Sequence, residues 1–278
     1  CGTYQLIVTQ KLAWQDLGLN GPQIMAILNI TPDSFSDGGT FYTGEPRLDR
    51  VLKYAENCLS AGSSILDVGG ESSRPGASSI SISEELDRVI PVIEALRNRF
   101  DAVISVDSST PEVMRESAAA GARLINDVRS LQRHGAMEAA LETGLPVCLM
   151  HMQGTAKTMQ NQPTYKDVVS DVHAWLMRRV DACLAAGFTD KQLVLDPGFG
   201  FGKTLQHNIA LFRDLVQLVQ TGYPVLVGVS RKTMIGEITG RPIEQRITGS
   251  ATAAAIAASY GAAILRVHDV AETRDAVI

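Results

Sequence analysis

The sequence predicts an α/β protein folded as one (β/α)8 TIM barrel. Three observations carry this. Eight short, nearly continuous apolar strings recur along the 278-residue chain, as in strands of a parallel sheet buried on both faces. Between them lie stretches whose apolar residues recur at spacings of three and four, the stripe of a helix packed on a sheet. The length also suits such a barrel, which closes as one domain at roughly 250 residues. Eight similar units favour closure over an open doubly wound sheet.

The elements follow in order. Tyr4 to Gly21 reads as a short extended pair, YQLIVT and KLAWQDL, a β extension capping the barrel bottom. The strands are IMAILNI (24–30), SILDVGG (64–70), VISVD (103–107), LINDV (124–128), PVCLMHM (146–152), QLVLDPG (192–198), PVLVGVS (224–230) and AAILRVH (262–268). Helical stripes run through 46–61 (Leu48, Val51, Leu52, Ala55, Cys58, Leu59), 83–99 (Leu86, Val89, Ile90, Ile93, Leu96) and 164–186 (Val168, Val172, Trp175, Leu176, Cys183, Leu184). Gly62, Gly187 and Gly222 read as helix stops. Composition does not shift along the chain and no linker interrupts it, so residues 1–278 are expected to form a single domain.

A hydrophobic fraction of 45% suits a large core. A net charge of −5 argues against non-specific nucleic-acid binding, which needs a basic face. No apolar run is long enough to span a bilayer, and CGTYQLIVTQ does not read as a signal peptide. Cys1, Cys58, Cys148 and Cys183 form no C-x-x-C pair and read as buried thiols of a reducing cytoplasm.

Sites of such barrels lie at the C-terminal ends of the strands. There the sequence places Asn29, Asp67, Asp107, Asn126 and Asp127, His151, Asp196, Ser230 with Arg231 and Lys232, and Arg266 with His268. Each alone has a plain structural reading; Asp107, for one, could cap the helix after it. Together, at one end of nearly every strand, they predict a polar pocket at the barrel mouth. Asp107, Asn126 and Asp196 suit a ring rich in N–H donors, such as an aminopyrimidine. Lys232, Arg231, Arg266 and His268 suit phosphate. Asn29, with Asp33 and Asp37 in the loop after it, offers hard oxygens for Mg2+ held partly by a substrate phosphate. NITPDSFSDGGTF and GGESSRPGAS, after the first two strands, are candidate lids.

LDPGFGFGKT (195–204) invites a phosphate-loop reading and fails it. A Walker A motif needs glycine five residues before Gly202, where Pro197 stands; the dinucleotide spacing from Gly198 and Gly200 ends on Lys203. The chemical residue of the stretch is Asp196, and Lys203 reads as a surface residue or the start of a helix.

The motifs ILNITPDSFSDGG (27–39), LDVGGESSRPGA (66–77), SVDSSTPEV (105–113), LINDV (124–128), LMHMQG (149–154), LDPGFGFGK (195–203), GVSRKTMIG (228–236) and RVHDV (266–270) resemble those of the dihydropteroate synthases, in the same order and over nearly the whole chain. The resemblance implies a Mg2+-dependent homodimeric barrel. Such an enzyme condenses hydroxymethyl-dihydropterin pyrophosphate with p-aminobenzoate, giving dihydropteroate and pyrophosphate by an SN1-like displacement. Carried over residue by residue, it implies that Asp107, Asn126, Asp196 and Lys232 bind pterin, and that Asn29, Arg266 and His268 bind pyrophosphate, with Asn29 also at the metal. Phe35, Ser73, Arg74, Pro75, Phe201 and Thr233 would wall the p-aminobenzoate site, with Asp37, Asp107 and Lys232 catalytic. The family commonly has threonine at the position of Ser73 and serine at that of Thr233; moving a methyl shifts affinity by up to ~1 kcal/mol per buried CH2. Two other readings share part of this pattern. A methyltetrahydrofolate–corrinoid methyltransferase barrel would need the pterin half but not SRKTMIG and RVHDV. A non-catalytic pterin-binding barrel would need no lids.

Overall fold

The structure is a computed structural model that describes residues 11–19, 21–30, 48–71, 80–154, 159 and 163–277. Eight strands form one parallel sheet: β1 (Gln23–Asn29), β2 (Ile65–Gly69), β3 (Val103–Asp107), β4 (Leu124–Asp127), β5 (Val147–Met150), β6 (Leu193–Asp196), β7 (Leu226–Val227) and β8 (Ile264–Val267). Their order is β6-β5-β4-β3-β2-β1-β8-β7. A parallel bridge between Leu195 and Val225 joins the two ends, so the sheet closes on itself as a barrel.

Helices fill the intervals: α1 (Leu48–Ser60), α2 (Ile82–Arg99), α3 (Pro111–Ala120), α4 (Ala136–Thr143), α5 (Val168–Ala186), α6 (Leu205–Arg213), α7 (Leu215–Val219), α8 (Thr233–Thr239), α9 (Ile247–Ser259) and α10 (Val270–Val277). Their ends carry local signals. Ser81 Oγ accepts the Glu84 N–H at 3.2 Å to cap α2, whose last turn holds Arg97 and Arg99 against the helix dipole. Asp167 caps α5 through the Ser170 N–H at 2.7 Å. The three expected stops, Gly62, Gly187 and Gly222, have φ of 107°, 112° and 85°, the left-handed region that ends helices.

Strand parity sorts the apolar residues into two cores. Outward positions such as Ile24, Ala26 and Leu28 on β1, Leu66 and Val68 on β2, or Leu193 and Leu195 on β6 pack under the helices. Inward positions Met25, Ile65, Val103, Leu124, Cys148, Val194, Leu226 and Ile264 form a separate cluster inside the barrel. Two residues further along the strands, the inward positions turn polar: Asp67, Ser105, Asn126, Asp196 and Arg266, beside Ile27 and Met150. The barrel thus has an apolar floor and a polar upper layer. Cys58, Cys148 and Cys183 are buried free thiols.

Two expectations need correction. KLAWQDL is not extended: Trp14–Leu17 is a 3-10 turn. With three residues per turn, Trp14 and Leu17 eclipse, and both drive into the inner apolar cluster as the plug of the barrel floor. The capping role holds, carried by a turn; YQLIVT lies outside the described residues. The seventh strand is also shorter than PVLVGVS, keeping ladder register with β8 only at Leu226 and Val227. Beyond them the chain bends toward the mouth at Gly228–Ser230. Among the described residues no helix is long and apolar enough to cross a membrane.

Candidate active site at the barrel mouth

The polar layer is knitted by one arginine. Arg266 on β8 donates through Nε to Asp67 Oδ2 at 2.6 Å and through Nη2 to Asp107 Oδ2 at 2.7 Å, bridging β2 and β3 across the barrel. Asn126 Nδ2 donates to the same Asp67 oxygen at 3.0 Å. Asp67 is fully buried and its Oδ1 has no hydrogen-bond partner. Burial works against charge on Arg266, but Asp67 and Asp107 more than offset it and hold the guanidinium firmly protonated. Burial also pushes Asp107 well above the usual carboxylate range, against the pull of Arg266 and with Asp67 adding to the rise.

On the other side of the mouth, Asp196 ends β6. Its Oδ1 accepts the Gly198 N–H at 2.7 Å. Burial raises its proton affinity, opposed first by Lys232. Lys232 sits just before α8, with Nζ donating to the Phe199 carbonyl at 2.6 Å and lying 4.6 Å from the centre of the Phe201 ring. Burial pushes its ammonium down to about 8, against the attraction of Asp196.

His268 follows β8. Ser230 Oγ accepts its backbone N–H at 3.1 Å and lies 3.1 Å from its Nδ1. The Ser230 hydroxyl thus ties both the main chain and the ring of His268 to the segment that follows β7. Asn29 ends β1 on the inward side, in register with Gly69, which is in turn in register with Asp107. A Cβ on Gly69 would come within 3.3 Å of Asp107 Cβ, so the glycine keeps the space between these two polar side chains open.

The structure therefore gathers Asn29, Asp107, Asn126, Asp196, Phe201, Lys232, Thr233, Arg266 and His268 at the C-terminal ends of β1, β3, β4, β6, β7 and β8. Thr233 is exposed at the first residue of α8. Asp33, Phe35, Asp37, Ser73, Arg74 and Pro75, and with them both candidate lids, lie outside the described residues.

Several expectations change. Arg266 spends two of its five N–H groups on carboxylates deep in the barrel, so it belongs structurally with the ring-binding half, and only its remaining donors can meet an anion. Arg231 is drawn out of the phosphate half by a two-point ion pair with Asp269, its Nε at 2.8 Å from Oδ2. Asp107 caps no helix: α3 starts at Pro111, and the cap position before it is Thr110, whose hydroxyl donates to the buried Glu85 at 2.6 Å. His151 points outward from the end of β5, its ring edge-on to Trp175 at 5.0 Å. Asp127 is a buried loop anchor, accepting the N–H groups of Arg129 at 2.8 Å and Leu131 at 2.7 Å. Lys203 is buried, not on the surface.

Asp67, expected at the end of the second strand but given no role in the site, proves to be its anchor. Its signal was available: in ILDVG it stands two residues after inward Ile65, where a charge must enter the barrel.

A family model described as "Pterin binding enzyme" matches residues 25–268. The chain belongs to the pterin-binding enzyme family. Within it, the chain is 55% identical over 259 residues to the dihydropteroate synthase of Haemophilus influenzae, covering 93% of each. The crystal structure of the Yersinia pestis dihydropteroate synthase with a sulfonamide drug complex superposes with a TM-score of 0.87 at 54% identity, over 93% of this chain and 92% of that one. A Xanthomonas albilineans dihydropteroate synthase in complex with 7,8-dihydropteroate superposes at 0.83 with 45% identity, over 93% and 92%. The upper layer offers carboxylate acceptors and one amide in a water-poor barrel.

Proposed function

We propose that the mouth of this barrel is a dihydropteroate synthase site, joining hydroxymethyl-dihydropterin pyrophosphate to p-aminobenzoate. The observation that supports it best is the polar upper layer, in which Asp107, Asn126 and Asp196 converge beside Lys232 and Phe201. In this reading Asp107, Asn126 and Asp196 accept from the pterin N–H edge, and Lys232 donates to the ring. Phe201 and Thr233 flank the incoming aminobenzoate. The His268 ring and the remaining donors of Arg266 face the pyrophosphate.

The carbon–oxygen bond of the hydroxymethyl group breaks and pyrophosphate leaves with the electron pair. The cation left on the pterin methylene is stabilised by the carboxylates of Asp107 and Asp196 in a poorly hydrated pocket. The aminobenzoate nitrogen then bonds to that carbon and releases a proton. A steady-state assay of pyrophosphate release with both substrates tests the reading: release that does not depend on p-aminobenzoate would refute it.

The chain also fits Mg2+. No cluster of three or more His, Cys, Asp or Glu side chains that could hold a metal occurs among the described residues. The donor at the mouth is the neutral oxygen of Asn29, which suits a cation held mainly by substrate phosphates and water. When bound, Mg2+ would neutralise the departing pyrophosphate. Chelation is expected to weaken binding of pterin pyrophosphate by at least about tenfold and to leave bare pterin unaffected, measured by calorimetry. Equal effects on the two ligands would remove Asn29 from the metal site.

A homodimer completes the reading. Ile209, Phe212, Met234, Ile235, Ile238 and Ile256 of α6, α8 and α9 line an open groove, and Ile238 is 57% exposed. The outer face of α9, ITGSATAAAIAAS, is made of small side chains with Ile256 exposed among Thr248 and Thr252. We place the partner copy there. Ile238→Asp is expected to shift the protein from dimer to monomer in sedimentation velocity; an unchanged dimer would exclude this face. Three buried free thiols suit a cytoplasmic enzyme.

A further inference from the structure

Lys203 follows the Gly198–Gly202 turn, and its side chain runs back beneath it. Its buried ammonium has three acceptors within 3.0 Å: the Gly198 carbonyl at 2.8 Å, His151 Nδ1 at 2.9 Å and the Phe201 carbonyl at 3.0 Å. An ammonium has three N–H donors, so this tripod uses them all. The His151 ring is kept neutral, as an acceptor must be: burial, then the charge of Lys203, push it down to about 3. The turn is tied elsewhere too, by Asn208 Oδ1 accepting the Gly200 N–H at 2.8 Å and by the Tyr165 hydroxyl donating to the Gly202 carbonyl at 2.7 Å. Gly198 has φ of 66°, and a Cβ there would lie 1.9 Å from the His151 carbonyl oxygen. The opposite face of the turn meets the active site, where the Phe199 carbonyl and the Phe201 ring both contact Lys232.

We propose that Lys203 is a positioning residue: by gripping the Gly198 and Phe201 carbonyls from below, it sets the Phe201 ring and the Phe199 carbonyl against Lys232 and so shapes the wall that receives p-aminobenzoate. The proposal rests on the reading of Phe201 as part of that wall. A stability role is the weaker account, because a buried charge held only by neutral acceptors is costly to keep. Burial pushes Lys203 down to about 7, with Asp196 opposing, so the surroundings work against its charge.

The test is kinetic. Lys203→Met and Phe201→Ala are made singly and together, and affinity for bare pterin is measured by calorimetry. Each single variant is expected to raise KM for p-aminobenzoate at least about tenfold with pterin affinity held within about threefold, as small misplacements of a positioning group do. In the Phe201→Ala background, Lys203→Met should add nothing further, since both act through one ring. Lys203→Arg should not restore the wild-type KM, because a planar guanidinium cannot supply the tripod. If Phe201→Ala raises the aminobenzoate KM and Lys203→Met does not, the proposal falls and the wall reading stands. If Phe201→Ala leaves that KM unchanged, both fall. Equal losses toward both substrates in Lys203→Met, or additive effects in the double variant, overturn it as well. Should Lys203→Met not fold, Lys203→Gln keeps two donors, and the same selective rise in KM is required of it.

Discussion

Asp107→Asn should lose turnover without losing stability. The substitution keeps the shape of the side chain but removes a negative charge aimed at the developing pterin cation. Removing one preorganised electrostatic group of this kind costs about 100- to 1,000-fold in kcat. The effect on the fold has the opposite sign. Burial raises the Asp107 proton affinity above its unfolded value, so between the ordinary aspartate pKa near ~4 and the raised folded value the native state binds more protons than the unfolded one. Stability therefore falls as pH rises through that window, and above it the ionised group is a net cost to folding. Arg266 keeps its contact with Asp67 at 2.6 Å in the variant, so no buried guanidinium is orphaned. Thermal melts above neutral pH are thus expected to show Asp107→Asn at least as stable as the parent, with a flatter dependence on pH, while pyrophosphate release falls. A variant that keeps wild-type turnover would take Asp107 out of the mechanism. A loss of activity that tracks a loss of melting temperature would make its role structural.

Much of the barrel was legible in the sequence because its physics is local. Eight apolar strings become eight strands, since strands buried on both faces admit few polar residues, and helix stops at Gly62, Gly187 and Gly222 need only a left-handed φ. The site was legible for a related reason: Asp107, Asn126, Asp196 and Arg266 interrupt apolar strings where a polar group is costly. What could not be read was which polar residues face each other. Arg266 and Asp67 are 199 positions apart and meet only once β8 lies beside β1 and β1 beside β2. Lys203 carries a surface residue's chemistry and lies buried because a glycine turn folds back over it. Trp14 and Leu17 gave no strand alternation, and their spacing of three fits a 3-10 turn as well as it fits a helix.

The upper layer gives the carboxylates and cations different tasks. Asp67 is sealed in and holds Arg266 and Asn126 in place. Asp107 and Asp196 each have one oxygen occupied by the protein, and among the described residues only that oxygen has a partner. The other oxygens are then available to a ligand. A ring with several N–H groups would replace hydration that the closed barrel denies these acceptors, so affinity and the electrostatics of the reaction draw on the same groups.

Lys232→Ala should be the other severe lesion, and the pH dependence of the parent enzyme should report why. The Lys232 ammonium gives one proton to the Phe199 carbonyl at 2.6 Å, which leaves two N–H donors for substrate. It also offsets the charge of Asp196, which would otherwise tend to take up a proton and lose its acceptor character. Truncation removes the donors, the charge and the contact with the Phe201 ring together, so a loss of about 1,000-fold or more in kcat/KM is expected from its combined electrostatic and positioning roles. Because burial lowers this lysine to about 8, the protonated, working form is present below that pH and is lost as pH rises through it. The carboxylate form of Asp107 is lost as pH falls through its raised value. The kcat/KM profile should therefore be a bell, its basic limb centred near pH 8 rather than near the ordinary lysine value of about 10.4, and its acidic limb displaced upward from about 4. Lys232→Arg holds its charge through this range, so its residual activity should lack the basic limb. If the limb persists in Lys232→Arg, it belongs to another group, and a parent profile that stays flat to pH 9 would show that Lys232 does not titrate where its burial places it.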